Sequence, residues 1–547
     1  MTDHNAEPNV VLSVQGLCIA TAASHGKSIV RNISFDVCEG ETVCIVGESG
    51  SGKSVTSLAC MGLLPKGALV PTAGRILLDG EDVLKATPAR IRQLRATRVA
   101  MVFQEPMTAL NPVQRVGKQI EEVLRLHTRL PAVERKEKVL AMLTRVRLPD
   151  VERIYTSFPH QLSGGQRQRI VIAMALILRP RLLFADEPTT ALDVTTQREI
   201  LALIHELQTE EKTAVVFVTH DFGVVSEIAD RIVVMNRGDI VEVGSRDMIL
   251  ASPTQPYTRS LISSVPSLIP RRAPIDSNPT VLEVIGLSKR YEERRLFSKP
   301  RVVNAASSVD FVVRQGEITG IIGESGSGKS TVARCVIRLT EPSEGAVFLS
   351  GKDIVAERDM HPLRRKMQYI FQDPYRSLNP RRTIRQSMIE GLINYGMPTE
   401  TAEKKASEML NVVGLPSETM QRYPHQFSGG QRQRIAIARA LVMEPDLLIA
   451  DEAVSALDVS VQAQVLKLIE DVRDRTGVAV LFITHDLRVA AQLCNTIVVM
   501  QRGEVVEAGS ALDVLTAPQH PYTRTLLAAA PAPGWDFQNF APKSAAL

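Results

Sequence analysis

GESGSGKS, Gly47 to Ser54, returns letter for letter as Gly323 to Ser330. Each copy has the spacing of a phosphate-binding loop: a glycine, four residues, then Gly-Lys-Ser. Each also follows an apolar run, VCIV before Gly47 and ITGII before Gly323, so the sequence predicts a strand feeding a helix. Glycines let the backbone aim its N–H groups at an anion, and the helix start adds its positive dipole end. In that geometry Gly47, Gly50 and Gly52, with Gly323, Gly326 and Gly328, shape a cradle for a polyphosphate. Lys53 and Lys329 reach its outer phosphates, and the hydroxyls of Ser54 and Ser330 face Mg²⁺. A single match could be an ordinary glycine-rich turn, but two identical copies exclude that reading.

The repeat also sets the domain count. A chain of 547 residues has room for roughly three or four average domains, yet a duplicated motif points to two large ones. The 64 basic side chains against 60 acidic ones leave +4, without the concentrated charge of a nucleic-acid binder, so no nucleic-acid partner is expected. Cysteines stand at 18, 38, 44, 60, 335 and 494 with no Cys-x-x-Cys pair, which indicates reduced thiols in a cytosolic protein rather than a zinc site or a disulfide framework. The opening MTDHNAEPNV lacks the basic and apolar regions of a secretory signal. The most apolar stretch, Ile170 to Leu178, is too short to span a bilayer and runs into Arg179 and Pro180.

Taken in order, Val10, Leu12 and Val14, then Ile33, Phe35 and Val37, alternate as half-buried strands do, and similar strands recur around Val281 and Phe311. After each loop come a helix, a short strand (Arg75 to Leu78; Ala346 to Leu349) and an apolar strand ending in glutamine, VAMVFQ at Gln104 and MQYIFQ at Gln372. From about Val116 to Arg179, and Ile384 to Glu444, helical spacing predicts an inserted helical subdomain. The loops are offset by 276 residues and the glutamines by 268, whereas Ser163/Ser428, Asp186/Asp451, His220/His485 and Tyr257/Tyr522 all share an offset of 265. A constant offset means no insertions, as expected of pieces that must meet in one geometry. The expected organisation is a first domain at 9–265, a proline- and serine-rich linker at 266–280, a second domain at 281–531 and a tail at 532–547 with little to bury.

Three further strings carry chemistry in both halves. LLFADE and LLIADE are buried strands delivering two acids: Asp186 or Asp451 to hold Mg²⁺, and Glu187 or Glu452 to orient and polarise an attacking water. LSGGQRQR and FSGGQRQR contain Ser-x-x-Gln capping boxes, and the free N–H groups of those helix starts form a second anion site. Ser163, Gly165 and Gln166, with Ser428, Gly430 and Gln431, therefore join the candidates. His220 and His485 end the apolar strands VVFVTH and VLFITH; a histidine there is commonly a core residue, but the shared offset and the aspartate after each argue for a γ-phosphate contact.

Phosphate loop, glutamine, SGGQ, Asp-Glu, Ala-Leu-Asp and histidine, in that order and twice, resemble the nucleotide-binding domains of ABC transporters over nearly the entire chain. The resemblance implies an α/β fold: two tandem P-loop ABC nucleotide-binding domains, each a RecA-like α/β core with an antiparallel β subdomain and a helical subdomain. It adds Ser49, Ser325 and Thr331 to the phosphate contacts, places Gln104 and Gln372 beside Mg²⁺, and makes Asp193 and Asp458 the residues that couple two sites. It also implies intramolecular head-to-tail pairing, with Lys53 sharing ATP with Ser428 and Gly430, and Lys329 with Ser163 and Gly165.

FQEPMTALNP, FQDPYRSLNP, PTQPYTRSL and PQHPYTRTL are similar to segments of the dipeptide, oligopeptide and nickel importer ATPases, and the fused arrangement with DEAVSALDVS resembles the glutathione-import type. That likeness implies an ATPase coupled to translocation, peripheral on the cytoplasmic face of the inner membrane. Its implied partners are two transmembrane permease subunits and an extracytoplasmic substrate-binding protein. The alternative, a soluble twin-domain ABC ATPase acting on ribosomes or DNA, usually carries a long charged spacer or zinc-binding insertions, which this proline-rich linker lacks. Two departures stand out. Tyr291 fits the family's adenine-stacking aromatic in the second half, but the matching stretch CIATAAS has none. Some relatives carry a cysteine cluster for an iron-sulfur centre; with no cysteine between 61 and 334, none is expected.

Overall fold

The computed structural model describes residues 9–22, 26–103, 109–189, 192–275, 277–293, 301–455, 457–531 and 535–542. The chain divides into two compact units: the first runs through residue 192, from 196 to 265 and from 531 onward, and the second holds 193–195 and 266–530.

In the first unit the strand Thr42–Val46 is buried along its whole length, as are Leu182–Asp186 and Ala214–Thr219. Strands covered on both faces read as continuous apolar runs and belong in a parallel sheet. They lie in a sheet of order Asp239–Ser245, Arg231–Asn236, Thr42–Val46, Ala214–Thr219, Leu182–Asp186, Val99–Val102, parallel except for the first pairing. The register aligns Val46 with Thr219 and Val218 with Asp186. Gly47, His220 and Glu187 therefore leave three adjacent strands at the same carboxyl edge, where open α/β sheets bind ligands. The second unit repeats the order with Met367–Ile370, Leu447–Asp451, Ala479–Ile483, Ile318–Ile322, Thr496–Gln501 and Glu504–Ser510. There Ile483 pairs with both Ile321 and Asp451.

Each unit adds an antiparallel sheet. In the first its order is Ser28–Cys38, Val10–Thr21, Leu69–Leu78, Glu81–Asp82. Leu12, Val14, Ile33, Phe35 and Val37 point into one core with Ile45 and Phe184 of the parallel sheet, as their alternation predicts. Val10 departs from that pattern: a register shift between Val10 and Leu12 leaves it 41% exposed and buries Val11 instead. A one-residue slip in a strand moves a side chain to the opposite face.

The helical subdomain of the first unit comprises Val116–His127, Ala132–Arg145, Val151–Thr156 and Gly164–Leu176. In the second unit Ile384–Asn394, Thr399–Val412 and Gly429–Leu441 enclose a core of their own around Ile384, Met388, Leu410 and Ile435. The spacing of Ile384, Met388 and Leu392 gives one apolar stripe, and Thr383 caps the helix start by accepting from the Gln386 N–H.

The proline-rich stretch is held against the second unit. Leu268 joins its core, Arg272 pairs with Glu470 at 2.8 Å, and the Asn495 amide donates to the Ala273 carbonyl at 2.7 Å. The tail, which belongs to the first unit, also has something to bury: Trp535–Asp536 pairs with Ala541–Pro542, and Phe537 is 5% exposed.

Candidate active site

The exit from each phosphate-loop strand tolerates only glycine. Gly47 and Gly323 both sit at φ 150°, and a Cβ there would come within 2.1 Å of the Met235 carbonyl oxygen or 2.2 Å of the Met500 one. Gly52 (φ 103°) and Gly328 (φ 105°) turn the chain into the helices Lys53–Cys60 and Lys329–Val336. Around Gly50 and Gly326 a Cβ would meet nothing, which marks the open side of each cradle.

The charged groups gather on that side. Lys53 Nζ donates to the Gly47 and Glu48 carbonyls at 2.7 and 2.9 Å; Lys329 Nζ donates to Gly323 and Glu324, both at 2.8 Å. Burial pushes the Lys329 ammonium below its usual range, against the opposing pull of Glu452 and Asp451. Ser54 Oγ donates to Asp186 Oδ1 at 3.1 Å and Ser330 Oγ to Asp451 Oδ1 at 2.9 Å. Burial raises the Asp186 carboxyl, which the Ser54 hydroxyl partly offsets. A hydroxyl and a carboxylate converging from separate elements form the hard oxygen pair that suits Mg²⁺ held between protein and phosphate.

The two glutamates are held in an unusual backbone conformation. Glu187 and Glu452 both adopt φ 47°, in the left-handed region, and their N–H groups are tied to the Val218 and Ile483 carbonyls at 2.9 Å. This turn points each side chain at a histidine, with His220 Nδ1 3.0 Å from Glu187 Oε1 and His485 Nδ1 3.4 Å from Glu452 Oε1. In the second unit burial is the largest influence and opposes both charges, but the hydrogen bond and the charge attraction between the partners together overcome it: Glu452 is lowered and His485 raised. The aspartates after the histidines have a local task as well, since Asp221 and Asp486 cap the helices that follow.

Gln372 Nε2 donates to Glu452 Oε2 at 2.7 Å, so its amide meets the glutamate rather than the Ser330–Asp451 pair. Gln104 lies outside the described residues. Ser163 and Ser428 form the expected capping boxes with Gln166 and Gln431. Gly165 and Gly430 have a packing reason too: a Cβ would come within 2.6 Å of Thr196 and 2.4 Å of Val461. Tyr291 is 43% exposed on the strand Thr280–Glu293, with the Lys289 ammonium 5.1 Å from its ring centre. One contact has almost no signal in the sequence. Tyr369 donates its hydroxyl proton to Asp451 Oδ2 at 2.6 Å, and the only hint of it is a hydroxyl inside the apolar string MQYIFQ.

A phosphate loop, a Ser–Asp pair and a Glu–His pair at one edge of a parallel sheet, occurring twice, define a tandem ATP-binding cassette protein. A family model described as ABC transporter matches residues 30–190 and 306–455, and one described as oligopeptide/dipeptide transporter, C-terminal region, matches 241–301 and 506–543. The chain is 46% identical to the glutathione import ATP-binding proteins GsiA of Salmonella choleraesuis (strain SC-B67) and of Escherichia coli O6:H1, over 95% of this chain and 89% of each relative. Among solved structures it is similar to a dimeric ATP-binding cassette in a post-hydrolysis state with ADP and Pi. That similarity has 29% identity and a TM-score of 0.39, covering 43% of this chain and 98% of that one. The chain belongs to the ABC transporter family, as an ATP-binding subunit with both cassettes in one polypeptide.

Proposed function

We propose that this protein hydrolyses ATP to drive a binding-protein-dependent importer of peptides, glutathione-like tripeptides among them. The observation that carries the reading is the duplicated set of Lys, Ser–Asp and Glu–His contacts, complete in each unit. The match to the oligopeptide/dipeptide C-terminal region and the glutathione-import relatives support the cargo class.

Each residue has a task. The loop amides and Lys53 or Lys329 bind the triphosphate, and the serine–aspartate pairs hold Mg²⁺, which when bound neutralises charge on the phosphates. Glu187 and Glu452 orient water and accept its proton, while His220 and His485 keep those carboxylates turned toward the site. The serine turns at Ser163 and Ser428 complete the site of the opposite cassette, so that ATP closes the pair and hydrolysis reopens it. This last step rests on the family's motif order.

No helix among the described residues is long and apolar enough to cross a membrane. The import ATP-binding relatives and the oligopeptide/dipeptide C-terminal match support separate permease subunits, with this chain peripheral on their cytoplasmic side. In each unit a cleft lies just past the glutamine segment: about 520 Å³ beside Arg115, Lys118, Glu122 and Phe158, and about 680 Å³ beside Tyr375, Asn379, Arg382 and Arg439. These clefts suit loops of the permeases. Purification with the two permeases in lipid, followed by binding-protein-stimulated ATPase assays with peptides, tests the reading; hydrolysis indifferent to every peptide-loaded receptor would contradict the cargo class.

A further inference from the structure

The Pro-Tyr-Thr-Arg segments lie far from the phosphate loops in sequence, in the region matched by the oligopeptide/dipeptide C-terminal family model. The fold brings each of them to its own unit's loop. The Glu48 N–H donates to the Tyr257 hydroxyl at 3.2 Å, and the Glu324 N–H donates to the Tyr522 hydroxyl at 3.0 Å. Glu48 and Glu324 are the second residues of the two GESGSGKS loops. Their carbonyls accept from the loop lysines at 2.9 and 2.8 Å, and from the Ser51 and Ser327 amides at 3.2 Å. The same residue is therefore gripped from both sides, by the tyrosine on its N–H and by the phosphate-loop lysine on its C=O.

Each tyrosine is itself fixed. In the first unit Glu242 accepts from the Thr254 N–H and hydroxyl at 2.7 Å and from the Gln255 N–H at 3.3 Å, just ahead of the helix Pro256–Ser263. Arg259 Nε folds back onto the Pro253 carbonyl at 2.7 Å. In the second unit Glu507 accepts from the Gln519 and His520 N–H groups at 2.7 and 3.1 Å, ahead of Pro521–Ala529, and Arg524 Nε reaches the Pro518 carbonyl at 3.0 Å. Burial pushes the Tyr522 hydroxyl up to about 12, so it stays neutral and able to accept. The same construction stands in both cassettes, at positions 265 residues apart.

We propose that Tyr257 and Tyr522 are positioning residues for the phosphate loops: by holding the amide of the loop's second residue, each keeps that group out of the anion cradle and the remaining amides aimed into it. Preorganised donors bind an anion more tightly than donors that must first be ordered. The C-terminal region of each cassette then acts as a brace on nucleotide binding, and a disturbance at Glu242 or Glu507 reaches the triphosphate through it. This inference rests on the ATPase reading above.

The test uses the full chain with Tyr257→Phe, Tyr522→Phe and the double variant, measuring fluorescent-ATP affinity, steady-state KM and kcat, and hydrogen exchange of the loop peptides. Loss of one net hydrogen bond from each brace is expected to raise Kd and KM for ATP by roughly three- to tenfold. kcat should fall much less, and exchange at 47–50 or 323–326 should speed up while the melting temperature holds. Glu242→Gln and Glu507→Gln should weaken ATP binding in the same direction, by a smaller factor. Unchanged affinity and unchanged loop exchange in the folded double variant would overturn the brace and leave the ATPase reading intact. Failure of the unaltered protein to bind ATP would overturn both.

Discussion

Tyr369 donates to Asp451 at 2.6 Å, whereas the residue in the same register position of the first unit is Met101. Tyr369 pairs with Ile449, two residues before Asp451, and Met101 with Phe184, two residues before Asp186. The aspartates proposed to hold Mg²⁺ in the two cassettes therefore differ in support: Asp451 has a hydroxyl on each oxygen, from Ser330 and Tyr369, while Asp186 is bonded by Ser54. With nucleotide binding at the first site removed by Lys53→Ala, Tyr369→Phe is expected to raise the Mg²⁺ concentration for half-maximal nucleotide binding by roughly tenfold or more, because a hydrogen bond to a charged group contributes about 1.5 to 3 kcal/mol. An unchanged Mg²⁺ titration would show that Ser330 alone holds the carboxylate.

The sequence difference at the proposed adenine position leads to a second asymmetry. Tyr291 presents a 43% exposed ring in the second unit, and CIATAAS offers none in the first. Stacking of a base on an aromatic contributes about 1 to 3 kcal/mol. ATP titrations of Lys53→Ala and Lys329→Ala, each leaving one intact site, should show weaker binding at the Lys53 site. Equal affinities would refute this.

Gly47→Ala and Gly323→Ala should each destabilise the protein by about 2 kcal/mol or more, since the added carbon meets a backbone carbonyl that cannot move aside. Chemical denaturation measures it. Gly50→Ala, where a Cβ meets nothing and only the φ of 77° strains the new residue, should cost less stability while still lowering nucleotide affinity.

Thiol chemistry provides an independent check on the packing. Cys44, Cys60, Cys335 and Cys494 are buried, and burial pushes Cys60 up to about 12 and Cys335 to about 11. Near neutral pH these thiols stay protonated, so alkylation of the native protein should be confined to Cys18 and Cys38, which are partly exposed. Rapid modification of Cys44 or Cys494 without denaturant would mean that the parallel sheets open far more readily than their buried strands allow.

Much of this architecture is legible in the sequence because its signals are local or repeated. The phosphate loops, the ADE strands and the capping boxes at Ser163 and Ser428 each carry their pattern within about ten residues, a window that turn and cap chemistry fills. Contacts between distant segments leave weaker traces. Nothing near Tyr257 announces Glu48, and the φ of 47° at Glu187 and Glu452 comes from tying their amides to the neighbouring strand, which no string of letters displays. Val10 breaks the expected alternation because a bulge changes the register within an otherwise regular strand. The tail's burial turns on one side chain, Phe537, too little for composition to reveal.

Glu187 and Glu452, each turned toward a histidine at 3.0 and 3.4 Å, are proposed to polarise the attacking water. Single-turnover hydrolysis by the Glu187→Gln/Glu452→Gln protein is the measurement that decides this. Retained ATP with hydrolysis reduced at least about a hundredfold is the expected result; hydrolysis at the unaltered rate would contradict the assignment.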